Sequence, residues 1–133
     1  MRHLWSVRGE GAGDGPMRWQ SIFPHEHAES PTMERLAILD NRLVGLYLHR
    51  FPASPLRPLV GAHDHPWDFV SVVLQGGYDE ALCACHQEPR RRGDASVRWA
   101  GTVHRIRIHT DGALTLCVRG PKRQDWSWRR LPG

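Results

Sequence analysis

The sequence has no apolar run approaching the roughly 20 residues that span a bilayer as a helix, so no membrane-spanning helix is expected. Its first residues lack the basic, apolar, then small-residue order of a secretory signal, and the expectation is a cytoplasmic protein. Cysteine is scarce: Cys83, Cys85 and Cys117 are an odd number, and a C-x-C pair is a poor disulfide framework, which favours a reducing compartment. Few stretches longer than ten residues escape a Gly or Pro break, and the best helix candidate, 33–39, is only two turns long. No internal repeat or low-complexity tract is present. The formal charge of +4 suggests nucleic acid, but the only dense basic run is Arg90, Arg91 and Arg92 before Gly93, with no aromatic and basic platform around it. It reads as a solvated turn, so neither nucleic acid nor a membrane is expected as a partner.

What the chain does have is 133 residues, enough for one domain, and a 40% hydrophobic content that supplies one packed core. Residues 1–33 carry Gly9, Gly11, Gly13, Gly15, Pro16, Pro24 and Pro31, and are expected to form an irregular arm. Leu4, Trp5, Trp19, Ile22 and Phe23 offer points that pin parts of it to the core. From residue 34 to 133 the texture becomes short apolar runs bounded by turn residues. Runs 36–39 and 43–51 flank Asp40 and Asn41 as a hairpin; 69–74 and 78–85 flank Gly76 and Gly77; 103–109 and 114–119 flank Asp111 and Gly112; 96–99 and 125–129 complete the set. Seven or eight such strands predict an all-β domain, a small barrel or jelly roll.

The densest chemistry is His63-Asp64-His65, in which alternate strand residues share a face and can direct two imidazoles at one ion. Neutral imidazole suits Zn, Fe, Ni and Cu. In a chain with nine histidines an H-x-H pair alone is a weak signal, and a structural role is its alternative. His104 strengthens it, because alternation along 104–108 puts His104, Ile106 and Ile108 on one face and Arg105 and Arg107 on the other. Cys83, Cys85 and His86 are a weaker second cluster, more simply read as packing, since no further ligand pair completes four.

These residues resemble the cupin superfamily. Its first motif runs Gly, five residues, His-x-His, three or four residues, Glu, six residues, Gly; here His63, His65, Phe69 and Gly76 keep that spacing. Its second runs Gly, five residues, Pro-x-Gly, two residues, His, three residues, Asn; here Gly93, Trp99, Gly101, His104 and Ile108 keep it. The departures are Arg57 for the leading glycine, Phe69 for the glutamate, and Trp99 and Ile108 for Pro and Asn. The resemblance implies a double-stranded β-helix and, with the carboxylate ligand missing, a three-histidine centre as in thiol dioxygenases.

If 69–74 turns Phe69, Ser71 and Val73 inward, Tyr78 and Glu80 return on the same face, and Glu80 becomes a fourth ligand or a general base; the alternative is an exposed strand carboxylate paired with an arginine. An inward Glu80 needs a partner. Glu80 and Tyr78 are the candidate catalytic side chains. Asp64 and Asp68 are expected outside the site or as partners orienting the histidines. Trp67 and Phe69 would wall a pocket, and Arg50, ending run 43–51, would fork onto an anion at its mouth.

The resemblance implies a metal-dependent enzyme with His63, His65 and His104 on one divalent ion, Fe(II) favoured and Mn, Ni or Zn the other choices. Three neutral ligands leave the ion its full charge, favouring an anionic small-molecule substrate and an oxidative reaction such as dioxygenation. The alternatives are a non-catalytic ligand-binding cupin and an isomerase, epimerase or decarboxylase. Exposed barrel edges suggest a homodimer.

Overall fold

The computed structural model describes residues 6–9, 17–23, 27 and 29–133. Among these there is no helix: nine strands, all paired antiparallel, make up the fold. They are β1 (Ser6–Gly9), β2 (Arg18–Phe23), β3 (Met33–Asp40), β4 (Gly45–Phe51), β5 (Leu59–His63), β6 (Phe69–Cys83), β7 (His86–Arg91), β8 (Ala95–Arg98) and β9 (His104–Arg119).

Two long strands organise the rest. The C-terminal half of β9 pairs with β4 and with the N-terminal half of β6, from Phe69 opposite Arg119 to Gly76 opposite Ala113. The N-terminal half of β9 pairs with β5 and with the C-terminal half of β6, from Tyr78 opposite Ile108 to Ala81 opposite Arg105. β6 likewise gives one half to β8 and the other to β7. The result is two facing layers, β1-β2-β3-β4-β9-β6-β8 and β5-β9-β6-β7, sharing the same two bent strands.

This corrects two expected hairpins. Gly76-Gly77 and Asp111-Gly112 lie inside continuous strands rather than at turns. Both glycines take positive φ, 66° at Gly76 and 77° at Gly112, as a type I′ turn would require, but here that freedom bends a strand. The two bends abut: a Cβ on Gly76 would strike the Gly112 carbonyl, and one on Gly112 would strike the Phe51 carbonyl. The β3 to β4 hairpin stands where Asp40 and Asn41 put it, with the Asn41 side chain accepting the backbone N–H groups of Leu43 and Val44. Residues 125–129 are not a strand; they contribute one isolated bridge, Trp128 to His63.

Two short strands fall within the expected irregular arm. β2 satisfies the outer edge of β3 and buries Ile22 and Phe23, so apolar anchors and unpaired backbone groups outweighed the glycines around them. Leu4 and Trp5 lie outside the described residues, and Trp19 is exposed. The C-x-C pair is also corrected: Cys83 and Cys85 are joined as a disulfide. The tight reversal from β6 into β7 brings their Cα atoms to 5.3 Å, within bonding range, which linear spacing does not convey. His86 pairs with Glu88 on the surface instead of completing a metal cluster.

The apolar core fills one end between the layers: Phe51, Val60, Val73, Tyr78, Ile106, Ile108 and Ala113. Burying a side chain such as Ile108 contributes about 1.5–3 kcal/mol. Above this plug the layers stay apart and enclose a cavity of about 340 Å³.

Candidate metal centre

β5 and β9 build the centre. His63 ends β5 directly opposite His104, which begins β9, and His65 follows two residues on. One nitrogen from each of the three lies within 4.8 Å of the others, and the Nε2 atoms of His65 and His104 are 2.9 Å apart. The alternation along β9 is as expected, with His104, Ile106 and Ile108 buried and Arg105 and Arg107 on the other face.

The hydrogen bonds fix which nitrogen two of the rings offer. His63 Nδ1 is 2.6 Å from the Gly61 carbonyl oxygen, which can only accept, so Nδ1–H donates and Nε2 keeps its lone pair. His104 Nδ1–H donates to Glu80 Oε2 at 2.8 Å, which likewise leaves its Nε2 free for an ion. Lone pairs converging in a buried space repel unless a cation or proton sits among them. Metal–nitrogen bonds of about 2.0–2.1 Å set adjacent ligands roughly 3 Å apart, so the His65 to His104 spacing and the donor chemistry fit a first-row divalent ion.

Burial, then the neighbouring His104 charge, lowers His63 to about 4, and the same causes hold His65 well below its ordinary value. Because the folded value is depressed, the unfolded chain binds more protons between about pH 6.5 and 4. The stability of the metal-free protein is therefore full above about pH 6.5 and falls as the pH drops to about 4, by up to about 3 kcal/mol from His63 alone. Urea midpoints of chelator-treated protein across that range are expected to fall steadily, and a flat profile would contradict the buried, neutral assignment.

Glu80 is inward and buried, as parity suggested, and it has the partners an inward carboxylate needs. Arg98 donates to it through Nε and Nη2, Arg90 through Nε at 3.1 Å, and His104 through Nδ1. Burial pushes its carboxyl up, but the bonds and charges of His104 and Arg98 outweigh this and bring it down to about 2. Glu80 is thus an ionised partner that orients His104, rather than a surface residue or a ligand converging with the three nitrogens. Tyr78 lines the cavity, and burial followed by the Glu80 charge pushes its phenol up to about 12.

Trp67 and Phe69 line the cavity as expected; the Phe69 ring is 4.7 Å from His65. Arg50 does not line it. Tyr47, His49 and Phe51 take the inward positions of β4, so Arg50 points out, more than half exposed, and pairs with Glu34 at 2.5 Å. Asp64 and Asp68 make their hydrogen bonds outside the three-histidine cluster, one of the two placements expected for them. Asp68 accepts the Ala100 N–H and pairs with Arg123. Asp64, fully buried, accepts Ser127 N–H and Oγ–H and Arg129 Nε–H, tying down residues 127–129. Burial raises the Asp64 carboxyl, but these bonds hold it below the usual range.

Three neighbours escaped the sequence reading. Trp126, carried by the tied segment, lies 4.5 Å from the His65 ring and 6.0 Å from His63. Arg35 on β3 and His49 on β4 line the cavity. Strand parity was the available signal for Arg35 and His49; Trp126 had none.

The two-layer arrangement with histidines from β5 and β9 is the double-stranded β-helix, or cupin, fold. No family model and no curated protein matches the sequence. Solved structures do match in fold. KdgF from a Halomonas species is 19% identical, with a TM-score of 0.59, over 73% of this chain and 87% of that one. A cupin superfamily protein from Desulfitobacterium hafniense is 16% identical, with a TM-score of 0.58, over 72% of this chain and 84% of that one. The DMSP lyase DddQ from Ruegeria pomeroyi is 12% identical, with a TM-score of 0.65, over 92% of this chain and 60% of that one.

Proposed function

We propose that the protein is a metal-dependent enzyme that holds Fe(II) with His63, His65 and His104 and dioxygenates a small, negatively charged organic substrate. The observation that carries the reading is the convergence of three imidazole nitrogens, with no carboxylate among them, on the wall of a largely apolar cavity. A bound ferrous ion supplies Lewis acidity and one-electron chemistry, its charge undiminished by the ligands.

The chain's own residues support that chemistry in stated ways. Glu80 holds the proton on His104 Nδ1, and the Gly61 carbonyl holds that on His63 Nδ1, so both rings keep their orientation. Tyr78, protonated at neutral pH, offers a hydrogen bond to a bound molecule and is not a base. Phe69, Trp67 and Trp126 exclude water from the ion's surroundings.

The test is metal analysis of protein purified without a histidine tag, followed by oxygen uptake with a panel of small organic acids. About one iron per chain and substrate-dependent uptake are expected. A second reading, a non-oxidative enzyme using Mn, Ni or Zn, is favoured by the fold likeness to structures named as DMSP lyases. Anaerobic turnover would select it, metal binding without turnover would leave a ligand-binding cupin, and absence of bound metal would end both enzymatic readings.

A further inference from the structure

Arg35 and His49 face each other across the β3 to β4 ladder, and both side chains reach the cavity that holds the three histidines. Arg35 donates through Nε to Gln20 Oε1 at 2.8 Å and lies 4.7 Å over the Tyr47 ring, and no carboxylate among the described residues pairs with it. Asp40 is engaged by Arg119, Arg18 and the Tyr47 hydroxyl. His49 stacks on Tyr47 at 5.9 Å, and its Nε2 is buried without a hydrogen-bond partner. A half-buried guanidinium with an unengaged fork beside an unsatisfied imidazole nitrogen is costly in an empty pocket and favourable around an anion.

The remaining charges in the lining do not answer this pair. Lys122 and Asp125 pair with each other at 3.0 Å, and the lining also carries the apolar Met33, Phe51 and Ile106 and the uncharged hydroxyls of Thr32, Ser71 and Thr115. His49 and His65 line the same cavity, so a small molecule within it can touch both the three-histidine centre and this pair.

We propose that Arg35 and His49 form a carboxylate subsite that fixes one end of the substrate, Arg35 gripping both oxygens and His49 donating to one, while the other end faces the three histidines. The substrate class is a small organic acid with an apolar body. This deepens the enzymatic reading above and rests on its use of the cavity as the substrate pocket.

The test compares binding of isobutyrate and benzoate with that of their uncharged amides, by calorimetry at pH 8 on chelator-stripped and metal-loaded protein. The acids are expected to bind at least about tenfold more tightly than the amides even without metal. Arg35→Met should remove that preference, Arg35→Lys should retain charge but lose at least about half of the preference, and His49→Phe should weaken the acids several-fold. If Arg35→Met fails to fold, the wild-type preference and Arg35→Lys carry the result. Equal binding of acids and amides, no acid binding at millimolar concentration, or an unchanged preference in Arg35→Lys would overturn the subsite. Metal uptake without acid preference would remove this proposal alone, whereas acid preference without metal uptake would remove the enzymatic reading and leave the subsite.

Discussion

Replacing His104 by alanine is expected to empty the protein of metal while leaving its β circular-dichroism signal intact. Two imidazoles cannot hold a divalent ion against competing buffer ligands as three can. Loss even of a residue that only orients a ligand typically weakens metal binding about 10–100-fold, so loss of the ligand itself should exceed that. The sheet should survive, since His104 enters β9 by its backbone and the core plug of Ile106 and Ile108 lies further along the strand. Glu80 keeps Arg98 and Arg90 when His104 is gone and is not left unpaired. The same outcome is expected for His63→Ala and His65→Ala. Metal content measured after dialysis decides the matter, and full occupancy in all three variants would refute a shared ion.

The second large effect is expected at Glu80. Alanine there strands the guanidinium of Arg98, mostly buried, and the Nδ1–H of His104, while Arg90 keeps Glu88. Breaking a buried ionic cluster from one side costs about 3–5 kcal/mol, which in a domain of this size lowers Tm by more than about 10 °C. Glu80→Gln keeps the shape and one acceptor, so it should cost less stability but weaken metal binding about 10–100-fold as His104 loses its ionised partner. Because the folded carboxyl titrates near 2, its contribution is complete above the ordinary value of 4.5 and lost only as the pH falls towards 2. The variants should therefore differ from the parent equally at pH 6 and pH 8. Unchanged Tm in Glu80→Ala, or unchanged metal affinity in Glu80→Gln, would make the carboxylate a bystander.

The legible parts of this protein were those where one periodicity dominates. The pair at 63 and 65 and the alternation over 104–108 needed only the two-residue repeat of a strand, and the structure brings those three rings together. β4 was harder because both faces carry apolar residues: Leu46 and Leu48 point one way, Tyr47 and Phe51 the other. Without a polar face to fix the parity, the pattern does not distinguish Arg50, which points out to Glu34, from His49, which lines the cavity. Gly76-Gly77 and Asp111-Gly112 carry the local chemistry of turns, and only the pairing of two distant segments makes them bends. The Cys83 to Cys85 bond depended on the same kind of information, a reversal whose tightness is set by the sheet. Trp126 reaches the histidines through Asp64, a contact across 63 residues that local patterning does not encode.

The abutting glycines carry a consequence for the three rings, which lie well away from them. A slip of one residue between β6 and β9 would rotate His104 out of the interior and bring Arg105 in. Gly76 and Gly112 nest only in one alignment, so they index the two ribbons like a key in its slot, eight residues along β9 from His104. A bulkier residue at Gly76 is expected to push the ribbons off by one notch, leaving a barrel blind to metal although every histidine is still in the chain, whereas one at Gly112 presses on the Phe51 carbonyl of β4.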